Sequence, residues 1–152
     1  MILLPDKIDQ ALVKDQLTRR AEQLFKQGYN CCESLIKSCI EIFELNLPED
    51  AYLMGRFFRE GVGGSGCICG ALAGGIMMLG YITGPNGGGA EIAESYRTGF
   101  VEKFGSSCCR VIRKKQSVSG RFRNRECRVM TGYAAGAVSE ALGTKSANDV
   151  IE

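Results

Sequence analysis

Eight cysteines (Cys31, Cys32, Cys39, Cys67, Cys69, Cys108, Cys109 and Cys127) stand in a chain of 152 residues that has no histidine. Thiols pair as disulfides, bind metal or act as nucleophiles. Without histidine, any metal site must be mainly sulfur, with carboxylate or water as the only helpers. The commonest general base is also gone, so Cys–His and Ser–His catalysis are excluded. No paired acid and base can be located, and the sequence assigns no substrate turnover.

The most specific neighbourhood is that of Cys69. It lies in a segment in which the thirty residues from Gly61 to Ala90 carry no charge. A cysteine in the first turn of a helix faces backbone N–H groups and the positive end of the macrodipole, which favour a thiolate. Glycines ahead of it allow a partner sulfur or an ion to come close. The plain alternative makes Cys69 a small core residue. A membrane span would need about 20 apolar residues. The run Cys67 to Ile82 is shorter and holds Gly70, Gly74, Gly75 and Gly80. Gly61-x-Gly63-x-x-Gly66 matches the dinucleotide fingerprint only formally, for it lacks the preceding strand and the later acid.

Helices must position these sulfurs. Helical spacing predicts a first helix over about Asp6 to Gln27, closed by Gly28. Asn30 is a good N-cap for a second helix, Cys31 to about Glu44. Cys32 and Cys39, seven apart, share its apolar face and read as core residues. Pro48, Glu49 and Asp50 suit the start of a third helix to about Arg59. After the glycine loop come helices from near Cys69 to near Gly80, Ala90 to Phe104, Cys108 to Lys115 and Arg125 to Leu142. Gln116 to Asn124 reads as a polar connection. No strand pattern and no internal repeat is seen. The expected fold is all-α, one domain over residues 1–152, a bundle of about six helices.

The order of these features resembles a redox-active family known by its pattern as C_GCAxxG_C_C. The matching residues are Asn30-Cys31, then Gly63-Gly64 leading into Cys69-Gly70-Ala71-Leu72-Ala73-Gly74, with Met77, Leu79 and Gly80 after it. Phe104-Gly105-Ser106-Ser107-Cys108-Cys109-Arg110 resembles the family's Phe-Gly-x-x-x-Cys-Arg segment, and Cys127 its last cysteine. The resemblance implies four recurring positions: Cys31, Cys69, Cys109 and Cys127. It also points to a related module beside haem domains in a split-Soret type cytochrome that holds an iron–sulfur centre. Here no Cys-x-x-Cys-His is present, so no c-type haem is expected. Cys32, Cys39, Cys67 and Cys108 lie outside the four-cysteine pattern. Cys67 and Cys108 flank pattern cysteines and suit alternative ligands or resolving thiols.

Four thiolates satisfy a [2Fe–2S] or [4Fe–4S] cluster, or a tetrahedral zinc. The tight Cys-x-x-Cys knuckles usual for zinc are missing. The first expectation is therefore an iron–sulfur cluster, [2Fe–2S] in first place, ligated by Cys31, Cys69, Cys109 and Cys127. Its role is electron transfer with a partner oxidoreductase or electron carrier. The second is metal-free thiol–disulfide redox or sensing with Cys69 as a low-pKa attacking thiol. The third is a structural zinc or helical interaction module.

Net charge is only +2, and hydrophobic residues make up 45% of the chain. Neither nucleic-acid binding nor a membrane span is expected from this. Basic residues do crowd between Arg110 and Arg128, and Arg110, Arg125 and Arg128 adjoin pattern cysteines, where cations would favour a four-thiolate site. Met1 to Lys7 is too short an apolar run for a signal peptide. The expectation is a cytoplasmic protein with reduced thiols. The small-residue helix could pack within one chain or across a homodimer.

Overall fold

A computed structural model of the chain describes residues 7–116 and 120–143. Six α-helices account for most of it: α1 (Lys7–Lys26), α2 (Cys31–Ile42), α3 (Gly70–Thr83), α4 (Glu91–Phe104), α5 (Cys109–Lys115) and α6 (Gly120–Gly143). Among the described residues there is no strand. The all-α expectation holds.

Local chemistry sets the boundaries. Gly28 has φ +104, which ends α1 where a side chain would be strained. Asn30 caps α2 through a full capping box: its Oδ1 accepts from the Glu33 N–H, and its own N–H donates to Glu33 Oε2, both at 2.9 Å. The Asn30 amide also donates to the carbonyls of Gly55 and Arg56 at 3.2 and 3.1 Å. That second use ties the start of α2 to the segment after it.

Three boundaries differ from expectation. Glu49–Phe58 winds as a 3-10 helix rather than an α-helix. Within it Gly55 lies against α2, where a Cβ would stand 2.9 Å from the Cys32 sulfur, and the tight winding brings this backbone close. A short 3-10 turn, Val62–Gly64, interrupts the glycine loop. Finally, α6 already includes residues 120–124, which read as a connection by their polarity. A polar, basic stretch propagates a helix well once packing holds its far end. Residues 117–119 of that expected connection, like 1–6 at the N-terminus, lie outside the described residues.

The core joins Leu17 and Leu24 of α1, Leu35 and Ile36 of α2, Leu72, Met78 and Leu79 of α3, and Val138 of α6. Cys32 and Cys39 are fully buried among them, as their shared face predicts. Small residues let the helices close. Gly132 and Gly136 of α6 lie against Glu22, Thr18 and Lys14 of α1, and Gly75 of α3 leaves room for the buried ring of Tyr96. The Tyr96 hydroxyl donates to the Ala134 carbonyl of α6 at 2.7 Å, so α3, α4 and α6 meet at one point.

Candidate functional site

Each of the four pattern cysteines comes from a different element. Cys31 is the first residue of α2, directly after the Asn30 cap. Cys69 is the N-cap of α3. Cys109 opens α5. Cys127 lies on α6, where the side-chain amide of Gln116 reaches its sulfur, Nε2 to Sγ at 3.8 Å. Three helix starts and one helix side thereby converge: all four cysteines line a single cavity of about 260 Å3.

The segments that carry Cys69 and Cys109 are held together by backbone. The Cys69 N–H donates to the Ser107 carbonyl at 2.9 Å, and the Arg110 N–H donates to the Gly66 carbonyl at 2.8 Å. Gly66 has φ +83 and faces the Arg110 Cβ, so only glycine fits the crossing. Gly70 does the same for Cys31. A Cβ there would lie 2.6 Å from the Cys31 sulfur and 3.0 Å from the Phe58 carbonyl oxygen. The Cys-Gly pair thus places one sulfur and makes space for another.

Burial favours the protonated form of the Cys31, Cys69 and Cys109 thiols. Burial pushes Cys31 far above its ordinary value, and Cys69, Cys32, Cys127 and Cys109 add to the rise. Cys69 is pushed up to about 11, first by burial and then by Cys109 and Cys127, although the N–H groups of Leu72 and Ala71 act the other way. Cys109 is raised by burial, with Arg113 opposing and Cys127 and Glu60 adding. Cys69 is only 1% exposed. The expected low-pKa attacking thiol at Cys69 is therefore corrected. The helix start does favour its thiolate, but loss of hydration outweighs it.

The charged groups at this cavity are Arg59, Glu60 and Arg113, which the sequence reasoning missed. Arg113 Nη1 pairs with Glu60 Oε1 at 3.1 Å. Arg113 stands four residues after Cys109, one helical turn along, and that spacing was the available signal. The cations expected there point elsewhere. Arg110 lines a neighbouring surface hollow, and Arg128 approaches Glu22 of α1 at 3.6 Å. Arg125 is exposed and not part of the cavity wall.

Cys67 and Cys108 form a disulfide, with Cα atoms 4.5 Å apart. The expectation of eight reduced thiols is corrected at this pair. Their reading as alternative ligands gives way to a bond between them. Cys31, Cys32, Cys39, Cys69 and Cys109 carry free thiols. Among the described residues, no three of Cys, Asp and Glu close around a point as ligands of one metal ion.

The family model described as "Putative redox-active protein (C_GCAxxG_C_C)" matches residues 29–141 of the 152. The chain belongs to this family. The matched stretch contains all four cavity cysteines and both disulfide cysteines. Beyond the C_GCAxxG_C_C match, an "Uncharacterized protein" of Archaeoglobus fulgidus is 35% identical over 69 residues, which is 45% of this chain and 46% of the relative. The chain thus spans about half the length of that curated relative. No solved structure matches the chain. No described helix is long and apolar enough to cross a membrane.

Proposed function

We propose that Cys31, Cys69, Cys109 and Cys127 ligate an iron–sulfur cluster, [2Fe–2S] in first place, and that the protein exchanges single electrons with a partner oxidoreductase. The observation that carries this reading is the convergence of four sulfurs from four elements on one cavity. The donor set fits: four thiolates are what such clusters take, and a chain without histidine offers little else. When bound, the cluster supplies a one-electron couple whose potential follows local charge, hydrogen bonds and exposure.

The chain's own residues do the rest. Arg113, although paired with Glu60, favours the Cys109 thiolate, and Arg59 adds a further cation to the cavity wall. Phe25 and Met130 add apolar surface to the same wall. Beside Cys109, Arg110 and Lys114 line an open hollow on the outer surface. That hollow offers an acidic partner a short path to the Cys109 side of the site. Zinc is the less suited occupant, because the tight Cys-x-x-Cys knuckles usual for it are missing from the chain.

The ligand assignment is tested by a pair of variants made without oxygen. Cys69→Ser is expected to lose bound iron, and Cys39→Ser, altered in the core away from the cavity, to keep it. Equal loss or equal retention overturns the assignment.

A further inference from the structure

The Cys67–Cys108 bond sits outside the four-cysteine cavity and outside the family's four-cysteine pattern. A disulfide has two ordinary uses: a staple for a weak core, or a reversible redox couple. The surroundings of this one argue against a staple. The two strands of chain it joins are already fastened on both sides by backbone, from the Cys69 N–H to Ser107 and from the Arg110 N–H to Gly66, at 2.9 and 2.8 Å. The Cys67 carbonyl accepts from the Val62 N–H at 3.0 Å and from the Ser65 hydroxyl at 2.9 Å. The Cys108 N–H donates to the Ser106 hydroxyl at 3.0 Å. None of these contacts needs the sulfur–sulfur bond. Opening it leaves both cysteines facing each other, ready to close again.

Access is also uneven. Cys67 is exposed on the glycine loop, whereas Cys108 is half-buried at the start of α5. An incoming thiol therefore meets the Cys67 sulfur first. We infer that Cys67 and Cys108 form a second redox site, a dithiol–disulfide couple that exchanges with dithiols at the exposed Cys67 sulfur.

The exchange balances as follows. One thiolate of the dithiol bonds to Cys67 Sγ, the Cys67–Cys108 bond breaks, and the Cys108 sulfur departs and takes up a proton. The second thiol of the dithiol loses its proton and attacks its own partner sulfur in the mixed disulfide, releasing Cys67, which is protonated in turn. The dithiol becomes a disulfide, and the protein gains two electrons and two protons. The reverse sequence oxidises the pair. The inference rests on this bond and its frame, and it stands whether or not the cavity holds a cluster.

The test is a titration of the whole protein, purified without oxygen, in buffers of reduced and oxidised dithiothreitol. Thiols are trapped by alkylation and located by peptide mass spectrometry, with helicity followed by far-ultraviolet circular dichroism. The inference expects labels to appear at Cys67 and Cys108 together, as one reversible two-electron step, with helicity unchanged. It also expects Cys108→Ser, treated with oxidised glutathione, to trap a mixed disulfide at Cys67, and Cys67→Ser to trap far less at Cys108. A pair that stays closed, or stays open, across the whole titration overturns it. So does loss of helicity in step with reduction, which would mark the bond as a staple. The wild-type titration decides the matter even if a variant fails to fold.

Discussion

The Cys31 sulfur occupies space that exists because residue 70 has no side chain: a Cβ on Gly70 would stand 2.6 Å from it. Two elements far apart in sequence, the start of α2 and the start of α3, are thus fitted at the cavity. Gly70→Ala is expected to push the Cys31 sulfur away and crowd the Phe58 carbonyl, at a cost of about 1–3 kcal/mol. Iron content should fall well below wild type while circular dichroism still shows a helical protein. Unchanged iron content in a folded variant would count against Cys31 as a ligand.

On the proposed reading, protons would compete with metal for these sulfurs. Cys69 rises from an ordinary 9.0 to about 11 by burial, and Cys31 rises by burial and the neighbouring thiols. Binding must therefore expel protons, and each one released makes affinity rise about tenfold per pH unit. Retention of the metal against a chelator is expected to strengthen from about pH 6 to about pH 8. A flat profile would argue against thiolate ligation.

The bare protein behaves in the opposite sense. A thiol whose pKa is raised on folding contributes stability that is full below its unfolded value and lost as pH climbs through the folded one. For Cys69 the window runs from 9.0 to about 11, and Cys39, raised to about 12 by burial, extends it. Denaturant midpoints of metal-free protein should fall through that range. A Cys39→Ala variant should fall less steeply. Equal slopes would show that Cys39 does not titrate as its burial requires.

Much of this arrangement was readable in the residues, and its misses have physical causes. The Asn30 cap, the buried face of Cys32 and Cys39, and the helix after Cys69 follow from local rules that act within one or two turns. The extent of α6 does not. Residues 120–124 look like a connection because they are polar, yet they extend a helix whose other end is anchored by Val138. The resemblance to a known pattern singled out Cys31, Cys69, Cys109 and Cys127, but their meeting at one cavity depends on long-range packing that spacing cannot express. Arg59 and Glu60 reach the site from before the glycine loop, with no periodic relation to any cysteine. The partnership of Cys67 with Cys108, 41 residues apart, likewise comes from the crossing of two loops.

Tyr96 locks three helices through its bond to Ala134 and its fit against Gly75. Tyr96→Phe removes only the hydroxyl and should cost about 1 kcal/mol. Gly75→Ala places a methyl group where the Tyr96 ring lies and should cost more, about 1–3 kcal/mol. Thermal or denaturant unfolding checks the order. A larger loss for Tyr96→Phe than for Gly75→Ala would contradict this packing.

The central claim is that four sulfurs drawn from four elements hold an iron–sulfur cluster. Its most direct test is iron and acid-labile sulfide analysis of protein purified without oxygen, read together with its Mössbauer spectrum. The account predicts iron and sulfide in equal amounts and iron in tetrahedral sulfur coordination. Folded protein with neither, or with one zinc in their place, would contradict it.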